Sequence, residues 1–461
     1  YRRPMVWNLW ERGTDMFGAH SYPGAAWRYY MLMHLVGEEK WWQIMGEWFT
    51  RFAHKSVYTH NMEELFTEMT GEDYGWFFEQ WVYKAGYPEC KIECSYDDKH
   101  KHALVKIEQT QKHDDEMTPE VFKFPLIVEF VNDKGERTCY TMQVRERIHS
   151  FYYPVDQKPV QILIDPDYTV LLDAKITKPE GMWIEQLHHG ENIIQRIKAA
   201  QALGKKVNPK ALDALGHALT EDSFWGVQAK IAKVLGTTKR QSALDQLLKG
   251  VNLDDSRART AVAIALGQYH KDERALEALQ KLMKDEDSYY VAGAAAASIG
   301  KIQHEKSLEV LKNGIKVAGD SWNEVVRKGF IDGIAATEKE SAVKTLREYV
   351  RVGVDDVLRR TATVQLAKLG KKFKKKHSDV KEDILKLLHD NSYRVRLAAI
   401  NAAKAYEDAS LLPALQKIAE GEVESTIVRS ARVAVRALSK KKGSDEIDSV
   451  RKSVEELEKE N

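Results

Sequence analysis

The spacing of apolar positions changes twice along the chain. From Tyr1 to about Pro88 they recur at helical intervals: Tyr29, Met33 and Leu35 begin a pattern that Trp41, Ile44, Met45 and Trp48 continue. Apolar groups three and four apart share one face of a helix, and a pattern this broad in aromatic residues predicts helices buried on more than one side, a bundle or part of one. Between Glu89 and roughly Leu172 the period falls to two. Leu104, Lys106 and Glu108 alternate with Val105, Ile107 and Gln109, and Phe122-Lys-Phe124 leads into Leu126-Ile-Val128. Asn132-Asp-Lys-Gly135 is turn chemistry between Val128-Glu-Phe130 and Tyr140-Thr-Met142. Ile162-Leu-Ile164 then enters the turn Asp165-Pro-Asp167 before a last strand at Val170-Leu-Leu172. Short strands separated by frequent turns predict a β-sandwich.

From Lys178 onward the strand signal gives way to a repeat. Its closing apolar positions are Leu203, Leu235, Leu266, Ile299, Ile334, Leu369, Ala405 and Ala437, spaced about 31 to 36 residues apart. That is the length at which helix pairs stack into a solenoid. Asp222-Ser, Asp255-Ser, Asp287-Ser, Asp320-Ser and Asn391-Ser each precede an apolar-periodic run, where a short side-chain oxygen accepts from the orphaned amides of a first turn. The glycines after Leu203, Leu235, Leu266, Ile299 and Leu369 suit the left-handed residue that ends a helix. The expected fold is therefore multidomain and mainly α: helices over 1–88, an all-β sandwich over 89–177 and an α-α superhelix of about eight helix pairs over 178–461.

Composition narrows this little. A chain of 461 residues exceeds one compact core, and 43% hydrophobic with 30% charged residues at a net charge of +1 describes a globular protein, not a disordered or wholly basic one. Cys90, Cys94 and Cys139 are too few for a disulfide framework and lack zinc-knuckle spacing. A reducing, cytoplasmic setting is expected. The longest apolar stretch, around Val291 to Ile299, is too short to span a membrane. The chain opens at Tyr1 with neither an initiator methionine nor a targeting segment, and we read it as a fragment of a longer polypeptide.

The repeats carry Tyr393-Arg-Val-Arg396-Leu-Ala-Ala, Val326-Arg327, Leu358-Arg359 and Val428-Arg429, whereas Val227-Gln228 and Val291-Ala292 lack the arginine. This pattern resembles the short HEAT-type repeats shared with phycobilin lyases. Two roles are open to the arginines: lining a ligand-binding ridge, or bonding to carbonyls and acidic caps of neighbouring repeats. The second is expected.

The first region holds Asp15-Met-Phe17-Gly-Ala-His-Ser-Tyr22-Pro-Gly-Ala-Ala26, then Tyr30-Met-Leu32 and Val36-Gly37. Further on come Asp73-Tyr-Gly-Trp-Phe77-Phe78-Glu-Gln-Trp81 and Gly86-Tyr-Pro88. Together these resemble a segment of the membrane-alanyl-aminopeptidase family of zinc peptidases, which reads Asp-x-Phe, Tyr-x-Lys-Gly-Ala, Met-Leu, Leu-Gly, Phe-x-x-Trp and Gly-x-Pro before its β-sandwich. The resemblance implies a thermolysin-like catalytic domain followed by a sandwich and a helical domain that closes over the active site. It places Tyr22 at the family's catalytic tyrosine, whose hydroxyl donates to the oxyanion formed when water attacks the scissile carbonyl. A phenol that stays protonated near neutral pH suits that task. Gly24-Ala25 stands where the family has Lys-Gly.

The family's zinc requires a His-Glu-x-x-His pattern with a further glutamate. No such pattern occurs in this chain: His34-Leu-Val-Gly-Glu38 and His60-Asn-Met-Glu63 have the wrong spacing and order. His188-His189-Gly-Glu191 is dense in possible ligands, but adjacent helical histidines point about 100° apart. No metal or cofactor site is assigned to these residues, and zinc is expected upstream, in the full-length parent. The expected function is that of a carboxyl-terminal part of a zinc aminopeptidase, inactive alone, which supplies Tyr22 and a capping solenoid to a parent that takes peptide substrates. The alternative is a non-catalytic scaffold whose peptidase-like module and concave repeat face bind a protein partner. Lys371-Lys-Phe-Lys-Lys-Lys376 and Lys440-Lys-Lys442 are basic, but no aromatic platform accompanies them, and nucleic acid is not an expected partner.

Overall fold

A computed structural model describes residues 3–10, 13–113, 117–206, 208–285 and 288–460. The chain divides into two compact units, Tyr1–Gly190 and Glu191–Asn461.

The first unit opens with helices α1 (Pro23–Val36), α2 (Glu38–Arg51), α3 (Thr59–Thr70) and the short α4 (Gly75–Phe78), which continues as a wider π-type turn over Glu79–Tyr83. Pro23 occupies the first position of α1, where its missing N–H costs nothing. Gly37, at φ +84, ends α1 and starts α2, and Gly71 closes α3 in the left-handed conformation. Of the predicted pattern Trp41 and Ile44 are buried, Met33, Leu35, Met45 and Trp48 are partly buried and Tyr29 is exposed; Leu65, Phe66, Phe77 and Trp81 complete the core. The Trp81 ring lies 5.1 Å from Phe122, and the Gln80 amide donates to the Lys123 carbonyl at 2.5 Å and accepts from the Lys123 N–H at 2.9 Å. The helical region is thereby fastened to the β-layer beyond it.

That layer begins at Glu89, directly after Pro88. Its strands are β1 (Glu89–Asp97), β2 (His102–Gln109), β3 (Phe124–Val131), β4 (Arg137–Val144), β5 (Ile148–Pro154), β6 (Gln161–Ile164) and β7 (Asp173–Thr177). They form two sheets, ordered β5-β2-β1-β7 and β4-β3-β6. Ala103, Val105, Ile107 and Gln109 of β2 point inward, matching the predicted alternation. The turn at Asn132–Gly135 is as expected: the Asn132 side chain accepts from the Lys134 and Glu136 amides, and Gly135 has φ +80. One expectation fails. Val170-Leu-Leu172 is not a strand, because the Val170 N–H donates to buried Asp165, whose carboxylate also accepts from Thr169. The chain is held in a turn there, and pairing with β1 starts at Asp173. Helix α5 (Glu180–His189) completes the unit, packing against β6.

The second unit is helical throughout its described residues. The closing positions read from sequence fall on α6 (Ile193–Leu203), α8 (Trp225–Thr238), α10 (Ser256–Leu266), α12 (Tyr289–Ile302), α14 (Val325–Ala336), α16 (Asp356–Lys372), α18 (Tyr393–Tyr406) and α20 (Ser425–Glu460). Between them run α7 (Pro209–Glu221), α9 (Gln241–Lys249), α11 (Glu273–Asp285), α13 (Ser307–Val317), α15 (Ser341–Glu348), α17 (Val380–Leu387) and α19 (Leu412–Gly421). The even-numbered helices pack against one another in succession, which is how a solenoid builds a continuous core from units that cannot bury a face alone. In the last two repeats the buried closing residue is one position later than read: Tyr406 and Leu438 fill the core, and Ala405 and Ala437 are only partly covered.

The caps are mixed. Asp255 accepts from the Arg257 N–H at 2.8 Å and Asp222 from Phe224 at 2.9 Å, but Ser321, not Asp320, accepts from the start of α14, and Asp390, not Asn391, from Ser392. Asp287 lies outside the described residues. The glycines after the closing apolar positions are not left-handed. Gly204 and Gly267 have φ −62 and −61, and Gly236, Gly300 and Gly370 sit within helices. Their role is close approach: a Cβ on Gly300 would lie 1.9 Å from the Gly333 carbonyl oxygen of α14. The left-handed ends belong instead to Lys239, Gln303 and Glu407.

Candidate functional site

Tyr22 stands at the start of α1, where its amide donates to the Gly18 carbonyl at 3.1 Å. A single 3₁₀ turn at Gly13–Met16 leads into it, and the Ser21 hydroxyl donates to the Met16 carbonyl at 2.5 Å. The Tyr22 residue is 61% exposed, its ring tilted against that of Phe17 at 6.1 Å. A hydroxyl so placed is open to a second molecule. His20, two residues before it, reaches the Pro4 carbonyl at 3.2 Å, and its pKa is lowered chiefly by burial, so the ring is neutral at pH 7.

The other histidines of the first unit do not gather around Tyr22. His34 stacks edge-on with Tyr30, His60 lies parallel to Tyr58, and His189 approaches Glu185 at 3.9 Å. Among the described residues, one group of three carries converging ligand atoms: Asp97, His100 and His102, on the turn joining β1 and β2. His100 Nδ1 is 2.7 Å from Asp97 Oδ2. This cluster lies largely exposed on a sandwich hairpin and includes no residue of the Tyr22 segment, so the cluster does not fit a peptidase zinc centre.

In the second unit the repeat arginines Arg327, Arg359 and Arg396 bond as expected, whereas Arg429 is exposed. Arg359 meets Asp390 at 2.6 Å with both side chains largely buried, and Arg396 donates to the Asp390 carbonyl at 3.1 Å. Arg327 is held by Glu324 and Asp320, and Arg259 by the carbonyls of Leu253 and Asp254. Arg196 meets Asp222 at 2.7 Å in the same way, although its Ile193-Ile-Gln-Arg196 context hides the repeat motif. Four of the five lysines of the basic run are likewise paired. Lys371 reaches Glu407 and Lys374 reaches Asp408 on the following repeat, while Lys372 pairs with Glu338 and Lys376 with Glu340 on the preceding one.

Three overlapping stretches, residues 182–267, 212–300 and 245–322, match the sequence pattern described as HEAT repeats. The second unit carries HEAT repeats. No curated protein matches the chain. Among solved structures, the crystal structure of Legionella pneumophila aminopeptidase A in complex with aspartic acid superposes with a TM-score of 0.57 at 13% identity, over 94% of this chain and 59% of that one. At that identity the likeness establishes the fold: helices, a β-region, then a helical repeat region, in the order found in an aminopeptidase. The chain spans about three fifths of the length of the aminopeptidase it matches. No helix among the described residues is long and apolar enough to cross a membrane.

Two buried cations went unremarked in the sequence. Arg28, on α1, is 6% exposed and donates through Nε to the Trp81 carbonyl and through Nη1 to Gly24 at 2.9 Å. Lys178 is 5% exposed and donates to the Ile162 carbonyl and to Gln186 Oε1. The available signal was weak: each is a single basic residue in an otherwise apolar or ordinary stretch.

Proposed function

We propose that the chain forms the carboxyl-terminal part of a zinc aminopeptidase-like protein that removes amino-terminal residues from peptides. The observation that supports this reading is the fold shared with an aminopeptidase across 94% of the chain, joined to the Asp15, Phe17 and Tyr22 pattern. The zinc ligands and general base would come from residues outside this chain, since the one ligand cluster among the described residues belongs to the sandwich hairpin. Zinc, when bound by the parent, would activate water and polarise the carbonyl. The part of this chain is narrower. Tyr22 would donate its phenolic proton in a hydrogen bond to the developing oxyanion, and the exposed position of its ring at the start of α1 leaves the hydroxyl free to do so.

The test is Tyr22→Phe in the longer polypeptide, with aminoacyl-anilide hydrolysis and zinc content measured together. The expected result is a fall in kcat of roughly a hundredfold or more with zinc unchanged, the scale on which one oxyanion donor acts. An unaltered kcat would remove Tyr22 from the reaction. A parent with no His-Glu-x-x-His motif and no hydrolysis would replace the enzyme reading with that of a protein-binding scaffold.

A further inference from the structure

Beside α1 lies a cavity of about 360 Å³, lined by Arg28, Tyr29, Leu32, Trp48, Tyr58 and Phe78 with further apolar neighbours. Its walls come from the segment before α1, from α1, the end of α2, the start of α3, and α4 with the π-type turn after it, all within the first unit. Its size falls in the range of small-molecule sites, which are typically apolar with a few polar groups that fix orientation. The polar group here is unusual. Arg28 is more than nine-tenths buried, and its hydrogen bonds go to two neutral backbone carbonyls, those of Trp81 and Gly24. Among the described residues no carboxylate comes within ion-pair distance of it, and burial alone shifts its pKa, downward to about 10, with no acidic neighbour to raise it. A buried cation normally has a counter-ion, because removing a charge from water is costly unless the charge is paired.

A second feature points the same way. Val57, Tyr58 and Thr59, which lead into the twelve-residue helix α3, border the same cavity. The N-terminus of a helix carries unpaired amides and partial positive charge, favourable to an anion. The Asn61 side chain already occupies the Tyr58 amide at 2.9 Å, which fixes the backbone of that turn.

We propose that this cavity binds a monocarboxylate with an apolar body, its carboxylate against the Arg28 guanidinium and the first turn of α3 and its chain among Leu32, Trp48 and Phe78. Charge complementarity selects the head group, and the walls select the body. The proposal is independent of the peptidase reading, because none of the residues lining the cavity is Tyr22 or a candidate metal ligand.

Decanoate and decanol, alike in body and different in head group, are the probes. Titrated at pH 7.5 into the 461-residue chain and followed by tryptophan fluorescence and calorimetry, decanoate is expected to bind saturably with one site and at least tenfold more tightly than decanol. Arg28→Met is expected to abolish that preference while leaving weak binding of both. Because Arg28 also supports Trp81 and Gly24 and its loss can impair folding, Val57→Trp provides a second variant. Val57 is 40% exposed at the cavity wall, and an indole there should block both probes without touching the core. Equal affinity for decanoate and decanol, an undiminished decanoate preference in folded Arg28→Met, or unimpaired binding by Val57→Trp would each overturn the assignment.

Discussion

Lys178 offers the most quantitative test of the structure. It comes directly after β7, and its ammonium lies 4.3 Å from the centroid of the Trp183 ring, 2.7 Å from the Ile162 carbonyl and 2.6 Å from Gln186 Oε1. The ring face and the two acceptors favour the charged form, but burial opposes it more strongly and lowers the pKa from 10.5 to about 7. Cys94, nearby, acts in the other direction only weakly, because burial raises its own pKa to about 12 and keeps the thiol neutral. Between pH 7 and 10.5 the unfolded chain holds a proton on Lys178 that the folded chain has released, so stability rises with pH across that window and falls as pH drops toward 7. At about 1.4 kcal/mol per pH unit the full span is about 5 kcal/mol, and below pH 7 the dependence on this group ends.

Lys178→Met removes the titration and the hydrogen bonds to the Ile162 carbonyl and Gln186, at a cost of about 1–3 kcal/mol. The variant should therefore be the more stable protein at pH 6, by about 2–4 kcal/mol, and the less stable one near pH 10, with a crossing between. Urea unfolding followed by tryptophan fluorescence reads the right unit, since all tryptophans except Trp225 and Trp322 lie within Tyr1–Gly190. Comparing wild type with variant at each pH cancels the other titrating groups. A difference that stays constant from pH 6 to 10 would show that Lys178 keeps an ordinary pKa and that water reaches it.

Two further predictions concern the repeats. Gly300→Ala forces a methyl against the Gly333 carbonyl, a backbone atom that cannot rotate away, and should destabilise the second unit by about 1–3 kcal/mol or more in a urea or thermal melt. Gly421→Ala, where a Cβ meets nothing within 4 Å, is the control and should be near neutral. Arg359→Met strands the buried Asp390 carboxylate and should cost about 3–5 kcal/mol. Adding Asp390→Asn to that variant should recover much of the loss, since the amide oxygen can still accept from the Ser392 N–H; a double variant as unstable as the sum of the two singles would deny the pairing.

The parts of this fold that were legible in the sequence are those in which one signal repeats. Eight closing positions at a common spacing locate the even-numbered helices, because a solenoid must present the same apolar face to each neighbour. The strand with clean alternation, β2, is likewise readable, as are the apolar runs of β3 and β6. Failures occur where a single residue's partner decides the outcome. Val170-Leu-Leu172 has strand composition, yet the Asp165 carboxylate takes the Val170 N–H that a ladder would need. Strand β5 carries its pattern in a stretch with exposed Ile148 and Tyr152, which blurs inside and outside. The expectation for Tyr22 rests on its surrounding motif, whereas nothing marks the burial of Arg28, because a lone arginine among aromatics looks the same whether its guanidinium snorkels to water or lies buried on a carbonyl.

The glycines show how a correct position can carry the wrong cause. Leu-Gly at the end of a repeat is what a left-handed helix stop looks like, and the same dipeptide results when two helices must touch backbone to backbone. The two causes differ in their consequences: a left-handed stop predicts a positive φ at the glycine, and close approach predicts a neighbouring atom where the Cβ would lie, as Val234 supplies for Gly204 and Val380 for Gly370. Gly300 meets Gly333, Gly236 meets Ala265 and Gly267 meets Ser298, each facing residue lying on the next even-numbered helix. The small residues that Ala292 to Ala297 and Gly329 to Ala336 accumulate are therefore one feature seen from two sides. They set how closely successive repeats stack.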